Sequence, residues 1–263
     1  MQPLLNIAVS AARQAGDIIL RQASQVEHMK LVHKEEGDYF CEVDIKAEQA
    51  IIDAIHKAHP THGIQAEESG SYQEDAETIW IIDPLDGTKN YIHGFPFYAV
   101  SIAVRIKDKL EHAVVYDPLR HECFAASRGR GARLNDRRIR VSNVTQLNQA
   151  VLGAGLPMRH PKLAKRYIQA YEGLVGQCSA TRVTGSAALD LAYVACGRLD
   201  GFWGLMMKPW DIAGGILLVQ EAGGFISDFQ GKEQSLEEGS IVAGTPKIFK
   251  AILHSLSHVE YTL

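Results

Sequence analysis

The stretch Ile79-Trp80-Ile81-Ile82-Asp83-Pro84-Leu85-Asp86-Gly87-Thr88 decides how this chain is read. Its first four residues, all apolar and β-branched or aromatic, predict a buried strand. Asp83 and Asp86 follow at the carboxyl end of that strand, where open α/β sheets keep their ligands. Pro84 and Gly87 predict a turn that lets the two carboxylates face one point. Two such charges repel unless a cation lies between them, and hard divalent ions favour this kind of oxygen cage.

Working outward, residues 4–22 carry an apolar stripe at helical spacing behind Pro3. The polar run His33 to Asp38 is expected as a loop. A second helix is expected from near Asp44, with Ala47, Ile51, Ala54 and Ile55 on one face and Pro60 ending it. Gly63 to Ala66 reads as a strand. Tyr98–Ile106, Ala113–Tyr116 and Glu122–Ala126 then read as an antiparallel meander. After residue 150, strands at Val151–Ala154, Ser179–Val183, Leu199–Trp203, Phe225–Asp228 and Ser240–Ala243 alternate with helices at 161–175, 186–195, 210–221 and 246–255. Helices layered on sheets define an α/β or α+β sandwich. At 263 residues and 46% hydrophobic content the chain can bury a large core, as one domain of two tightly joined halves with a boundary near 145–150.

The formal net charge of −4 argues against a dedicated nucleic-acid binder. Cys41, Cys123, Cys178 and Cys196 lack C-x-x-C spacing and read as reduced thiols rather than a disulfide frame or zinc site. The amino terminus has no basic start followed by a long apolar run, and no stretch is long enough to span a bilayer. A cytoplasmic enzyme is the expectation.

Further acids stand at element ends: Asp44, Glu67-Glu68 and Asp211. Each alone has a plain explanation, since an acid at a helix amino terminus caps it and a strand-end acid is usually solvated. Neighbouring strand residues point opposite ways, so one of Glu67 and Glu68 is expected in a shared site. A set of carboxylates and carbonyls suits magnesium or manganese over zinc. Magnesium commonly binds through carboxylates and a substrate phosphate, which points to phosphoryl transfer to water. Backbone amides near Gly87 and Thr88 could meet the phosphate. No Walker A loop or kinase glycine-rich signature is present.

Asp83-Pro-Leu-Asp86-Gly-Thr88, Glu67-Glu68-Ser69, Pro209-Trp-Asp211 and Glu221-Ala-Gly-Gly224 together resemble the inositol monophosphatase family, of the lithium-sensitive, magnesium-dependent phosphatase superfamily. The resemblance covers nearly the whole chain. It implies a layered αβαβα sandwich, a homodimer, and hydrolysis of a polyol or sugar phosphate monoester such as inositol 1-phosphate. By that resemblance Glu67, Asp83 and the Leu85 carbonyl would bind a first Mg2+. Asp83, Asp86 and Asp211 would bind a second, and a third, weaker ion would share Glu67. Asp44, Thr88 and Glu67 would be catalytic, with Thr88 held by Asp44. Asp86, Gly87, Thr88, Ser186 and Ala187 would face the substrate, and Lys34 would be the basic residue of a loop near the metals. The bacterial members it is most similar to are partners of the transcription antitermination machinery. The alternative expectation is therefore an interaction protein bound to RNA polymerase-associated factors, with Arg182 either a contact or an ordinary surface arginine.

Two positions depart from the family pattern. Gly204 stands where the family keeps a substrate-binding glutamate, so discrimination for an inositol hydroxyl is expected to weaken. Lys89 replaces a common threonine, placing a positive charge near the phosphate or out in solvent. His56, His59 and His62 read as ordinary histidines near a helix end rather than metal ligands. The arginine-rich run 128–140 reads as a solvated hairpin face.

Overall fold

A computed structural model describes residues 2–23, 31–35, 38–155, 161–233, 236 and 239–256. In chain order the elements are α1 (Pro3–Gln22), β1 (Leu31–Glu35), β2 (Asp38–Cys41), α2 (Glu42–Ala58), β3 (Gly63–Ala66), β4 (Gly70–Tyr72), β5 (Thr78–Asp86), α3 (Thr88–Ile92) and β6 (Ala99–Ile106). There follow β7 (Lys109–Asp117), β8 (Glu122–Ser127), β9 (Gly131–Leu134), β10 (Arg137–Arg138), β11 (Val151–Gly155), α4 (Pro161–Val175), β12 (Ala180–Arg182) and α5 (Ala187–Ala195). The chain closes through β13 (Gly201–Gly204), α6 (Pro209–Glu221), β14 (Phe225–Ser227), β15 (Ile241–Gly244) and α7 (Pro246–Leu256).

Two sheets form the body. The larger has eight strands in the order β10-β9-β8-β7-β6-β5-β3-β4, and the smaller has five in the order β12-β11-β13-β15-β14. From β6 to β8 the larger sheet is the expected antiparallel meander, which β5, β9 and β10 extend, while β3 lies parallel to β5. Helices α1 and α2 cover one face of it. Their stripes, Ala8, Ala12, Ala15 and Ile19 with Ala47, Ile51 and Ile55, bury against Trp80, Ile82, Val100, Ile102 and Val114. Helices α5 and α6 fill the space between the sheets, where Leu189, Ala192, Ile212, Ile216 and Val219 share a core with Ile81, Ala103, Val115, Phe202 and Ala243. Helices α4 and α7 cover the outer face of the smaller sheet through Tyr167, Ala170, Ile248 and Ile252 against Trp203 and Val242. This is the αβαβα sandwich the resemblance implied.

Two local expectations are corrected. Of the expected loop His33–Asp38, His33–Glu35 and Asp38 lie in strands, and the two residues between fall outside the described ones: β1 and β2 pair antiparallel, from Leu31 opposite Cys41 to Glu35 opposite Asp38. Backbone pairing needs no apolar alternation, and this polar run has none to show. Second, Pro84 does not end the strand. β5 runs on through Asp86, and its register against β6 slips between Asp83, opposite Ser101, and Asp86, opposite Ala99. That bulge is what turns two acids three residues apart toward one side, since strict alternation would put them on opposite faces. A bulge also tolerates a proline, which has no N–H for the ladder.

Candidate active site

β5 delivers Asp83 and Asp86 to a cavity of about 450 Å³ whose walls also include Glu67, Leu85, Gly87, Thr88, Ser186, Ala187 and Asp211. Glu67 arrives from the end of β3, where its N–H donates to Ile82 O at 3.2 Å. Glu68 does not line the cavity, so one of the two adjacent acids enters, as alternation requires. Asp211 arrives in the first turn of α6. Gly87 leaves β5 in the left-handed conformation, φ +100°, and its α-carbon faces Phe97 O and Tyr98, which a side chain would crowd. That turn starts α3 and brings Thr88 back toward α2.

Each helix-start acid caps its helix and also reaches the cavity, Asp211 directly and Asp44 through Thr88. Asp44 Oδ2 accepts the Cys41 N–H and thiol, each at 2.8 Å, while Oδ1 accepts the Thr88 hydroxyl at 3.0 Å. The same hydroxyl lies 3.1 Å from Leu85 O. Asp211 Oδ2 accepts the Lys208 N–H at 2.8 Å, which caps α6. Asp44 is fully buried and touches the cavity only through Thr88. Burial pushes its carboxyl above the usual range despite the bonds from Cys41 and Thr88.

Asp86 ties together residues far apart in the chain. Its Oδ2 accepts the Ser186 hydroxyl at 2.6 Å and the Ala188 N–H at 2.7 Å, so it sits on the amino end of α5. Asn90 ties the adjoining loop down, donating to Phe97 O and Thr184 O at 2.7 and 2.8 Å. Burial pushes the Asp86 carboxyl up to about 6 even against these donors. Asp83 is pushed well above the carboxylate range, first by burial and then by the charges of Glu67, Asp86 and Asp211, with a hydrogen bond from Asp83 to Glu67. A carboxylate set with Asp83 and Asp86 buried, Glu67 and Asp211 half-buried, and mutual repulsion at Asp83 fits a divalent cation, which would remove that repulsion at its source. As the side chains stand, no three of the Asp, Glu, His and Cys groups among the described residues are gathered tightly enough to hold an ion. Asp86 and Asp211 each turn an oxygen to a helix amide, and Asp83 and Glu67 turn to each other.

Of the other sequence-derived candidates, Lys89 lines the cavity and is exposed. Lys34 falls in β1, and its side chain lies outside the described residues. Arg182 is exposed on the edge strand β12. The histidines serve structure: His62 Nδ1 accepts the Trp80 indole N–H at 3.0 Å and stacks on His59. The arginine-rich run forms the β9–β10 hairpin with Arg130, Arg133, Arg137 and Arg138 exposed.

Three residues of the site escaped the sequence reading. Glu48, one helical turn after Asp44, holds the Glu68 and Ser69 amides. Cys41, three residues before Asp44, had the spacing of a capping box. Asp190 lines the cavity, takes the Thr184 hydroxyl at 2.8 Å on Oδ2, and leaves its buried Oδ1 without a partner. Burial and the nearby Asp86 raise its pKa well above the usual range.

An αβαβα sandwich with a carboxylate-lined cavity at the carboxyl end of β5 is the architecture of metal-dependent phosphomonoesterases of the inositol monophosphatase type. The chain belongs to the inositol monophosphatase family, whose sequence model matches residues 1–260. It is 52% identical over 261 residues to Nus factor SuhB of Pseudomonas aeruginosa, covering 97% of this chain and 96% of that protein. Its fold matches the crystal structure of extragenic suppressor protein SuhB from Bartonella henselae with a TM-score of 0.94 at 40% identity, over 98% of this chain and 99% of that one. It matches the IMPase of Thermotoga maritima with a TM-score of 0.89 at 31% identity, over 98% of each chain. Among the described residues no helix is long and apolar enough to cross a membrane.

Proposed function

We propose that this protein is a cytoplasmic, magnesium-dependent phosphatase that hydrolyses a polyol or sugar phosphate monoester to the alcohol and inorganic phosphate. The observation that carries the reading is the convergence of Glu67, Asp83, Asp86 and Asp211 on one cavity whose wall holds the Thr88–Asp44 hydrogen bond. Glu67, Asp83, Asp86, Asp211 and the Leu85 carbonyl would hold two to three magnesium ions. Bound there, they supply positive charge for the phosphoryl group and acidify water. Thr88 gives its hydroxyl proton to Asp44 Oδ1 and keeps its oxygen lone pairs for the proton of an attacking water. The Gly87 and Thr88 amides, with Lys89 beside them, face the phosphate. Ser186 acts through Asp86, whose oxygen it fixes, and Ala187 borders the substrate. The Asp86–Ser186 and Asp86–Ala188 bonds support treating the two halves, joined near 145–150, as one catalytic unit, and family resemblance supports a homodimer.

Phosphate release from a panel of polyol, sugar and nucleotide monophosphates, with and without magnesium, tests this. Release that needs magnesium and is inhibited by lithium is expected; release undiminished by chelation contradicts it.

The 52% identity to a Nus factor favours a second reading, association with the transcription antitermination machinery. Exposed Arg182 is its candidate contact. Full complementation of a deletion strain by folded Asp83→Asn/Asp211→Asn protein assigns the cellular role to binding, and failure to complement assigns it to catalysis.

A further inference from the structure

β11 and β13 run parallel, and Gly155 and Gly204 stand side by side at the ends of their pairing. Two adjacent residues without side chains leave a hollow beside the acidic cavity, and Met207 fills it. A Cβ on Gly155 would lie 2.6 Å from Met207 Cε, and one on Gly204 would lie 3.2 Å from the same atom. The Phe202 ring edge closes the other side, 3.3 Å from both of those positions.

The backbone is shaped to hold Met207 there. Met206 adopts φ +60°, a conformation a non-glycine residue takes at a cost. The turn is locked by the Met207 N–H donating to Gly239 O at 2.8 Å, and Gly239 packs directly against the backbone of Met206 and Met207. One residue further on, the Lys208 N–H donates to Asp211 Oδ2. The thioether and the metal-side carboxylate are therefore fixed by the same short turn. Met207 lines the cavity together with Phe202, Leu205, Val183 and Trp210. These apolar side chains offer an alcohol no hydrogen-bond partners except the Trp210 indole N–H.

We infer that Met207 is the specificity-determining residue of the alcohol subsite, and that within the proposed phosphomonoesterase activity it shifts preference away from hydroxyl-rich polyols toward alcohols that present an apolar or aromatic face, the C–H face of a sugar ring included. The inference rests on the phosphomonoesterase reading for its turnover but not for its binding. A thioether offers a polarisable surface that suits an aromatic edge or face and accepts almost no hydrogen bond. A hydroxyl-rich alcohol pressed against it loses its water without gaining a partner.

The test uses the whole protein in magnesium and the near-isosteric change Met207→Gln, with thermal unfolding to show that the variant is folded. Calorimetry compares benzylphosphonate with methylphosphonate, neither of which can be hydrolysed. Phosphate release compares 2-naphthyl phosphate with inositol 1-phosphate. The wild type is expected to bind benzylphosphonate at least about tenfold more tightly, and Met207→Gln to reduce that ratio about tenfold and shift kcat/KM toward inositol 1-phosphate. An unchanged binding ratio in the variant, or equal wild-type affinities, overturns the inference even if every ester is hydrolysed. If no ester is hydrolysed while the Met207-dependent binding preference persists, the hydrolase reading fails and the subsite assignment stands. As a second variant, Gly155→Ala drives its new methyl into Met207 and is expected to weaken the same preference; a preference unaltered by both changes also overturns it.

Discussion

Glu48 on α2 accepts the Ser69 backbone N–H at 2.8 Å with one oxygen and that of Glu68 at 2.9 Å with the other. The carboxylate is almost wholly buried, 3% exposed, and closes the turn that carries Glu67 into the cavity. Asp44, one turn earlier on the same helix, reaches Thr88 in the same way. Helix α2 thus positions two separate walls of the site with two buried acids at helical spacing. Glu48→Gln replaces one acceptor by an amide donor facing an N–H. It is expected to cost about 1–3 kcal/mol in a denaturant titration. Because it loosens the support of Glu67, it should also raise the magnesium needed for half-maximal phosphate release about tenfold. Unchanged magnesium dependence would separate Glu48 from the site.

Thr88 donates to the buried Asp44 rather than to solvent, so its oxygen is held at one place on the cavity wall. Thr88→Ala removes a positioned proton acceptor. It is expected to lower kcat about 10²–10⁴-fold with little change in thermal stability. Thr88→Ser keeps the hydroxyl and should retain most of the activity. Equal losses in both variants would mean that the methyl group, not the hydroxyl, matters.

How far the sequence reveals this arrangement depends on whether a residue's role is written in spacing or in long-range contact. The run Ile79–Ile82 is buried, and the acids after it converge, because a strand end with a cation-seeking pair leaves a local pattern. The bulge at Pro84-Leu85 leaves no such pattern, since a turn and a bulge use the same residues. For Asp44 and Asp211, capping and site roles looked like alternatives. Each acid has two oxygens and can do both. Asp190 and Met207 were illegible for a different reason. Their meaning comes from neighbours such as Thr184, Gly155 and Gly239, which only the folded chain brings near.

The His62–Trp80 bond sets one pH dependence. Burial, then the neighbouring His59, holds His62 below its ordinary pKa, and Trp80, fully buried, needs the unprotonated Nδ1 as acceptor. As pH falls through about 6.5 the unfolded chain takes up this proton before the folded chain does, so stability drops on acidification. His62→Phe removes that slope and orphans the indole N–H, at a cost of about 1–3 kcal/mol near neutrality. Urea titrations of the two proteins between pH 5 and 8, read as their difference, isolate the effect (window from the histidine reference range). A constant difference across that window would assign the slope to other groups.

The acidic cavity imposes the opposite sign. Asp86 is raised from 3.8 to about 6, and Asp83 is raised well above its ordinary value by burial and by the charges of Glu67, Asp86 and Asp211. A carboxyl group with a raised folded pKa stabilises the protein below its unfolded value and loses that contribution as pH rises through the folded one. Without divalent ions, the cavity's contribution to stability should therefore decline from below pH 4 up to about 6 through Asp86, with Asp83 acting in the same direction. On the proposed function magnesium would bind only the ionised, assembled set, so it should restore stability most at the alkaline end. Asp83→Asn removes a buried charge that three other carboxylates repel. It is expected to raise the metal-free melting temperature above pH 7 and to abolish the increase that magnesium gives the wild type. A variant that still gains the full magnesium shift would place the ion somewhere other than between these four acids.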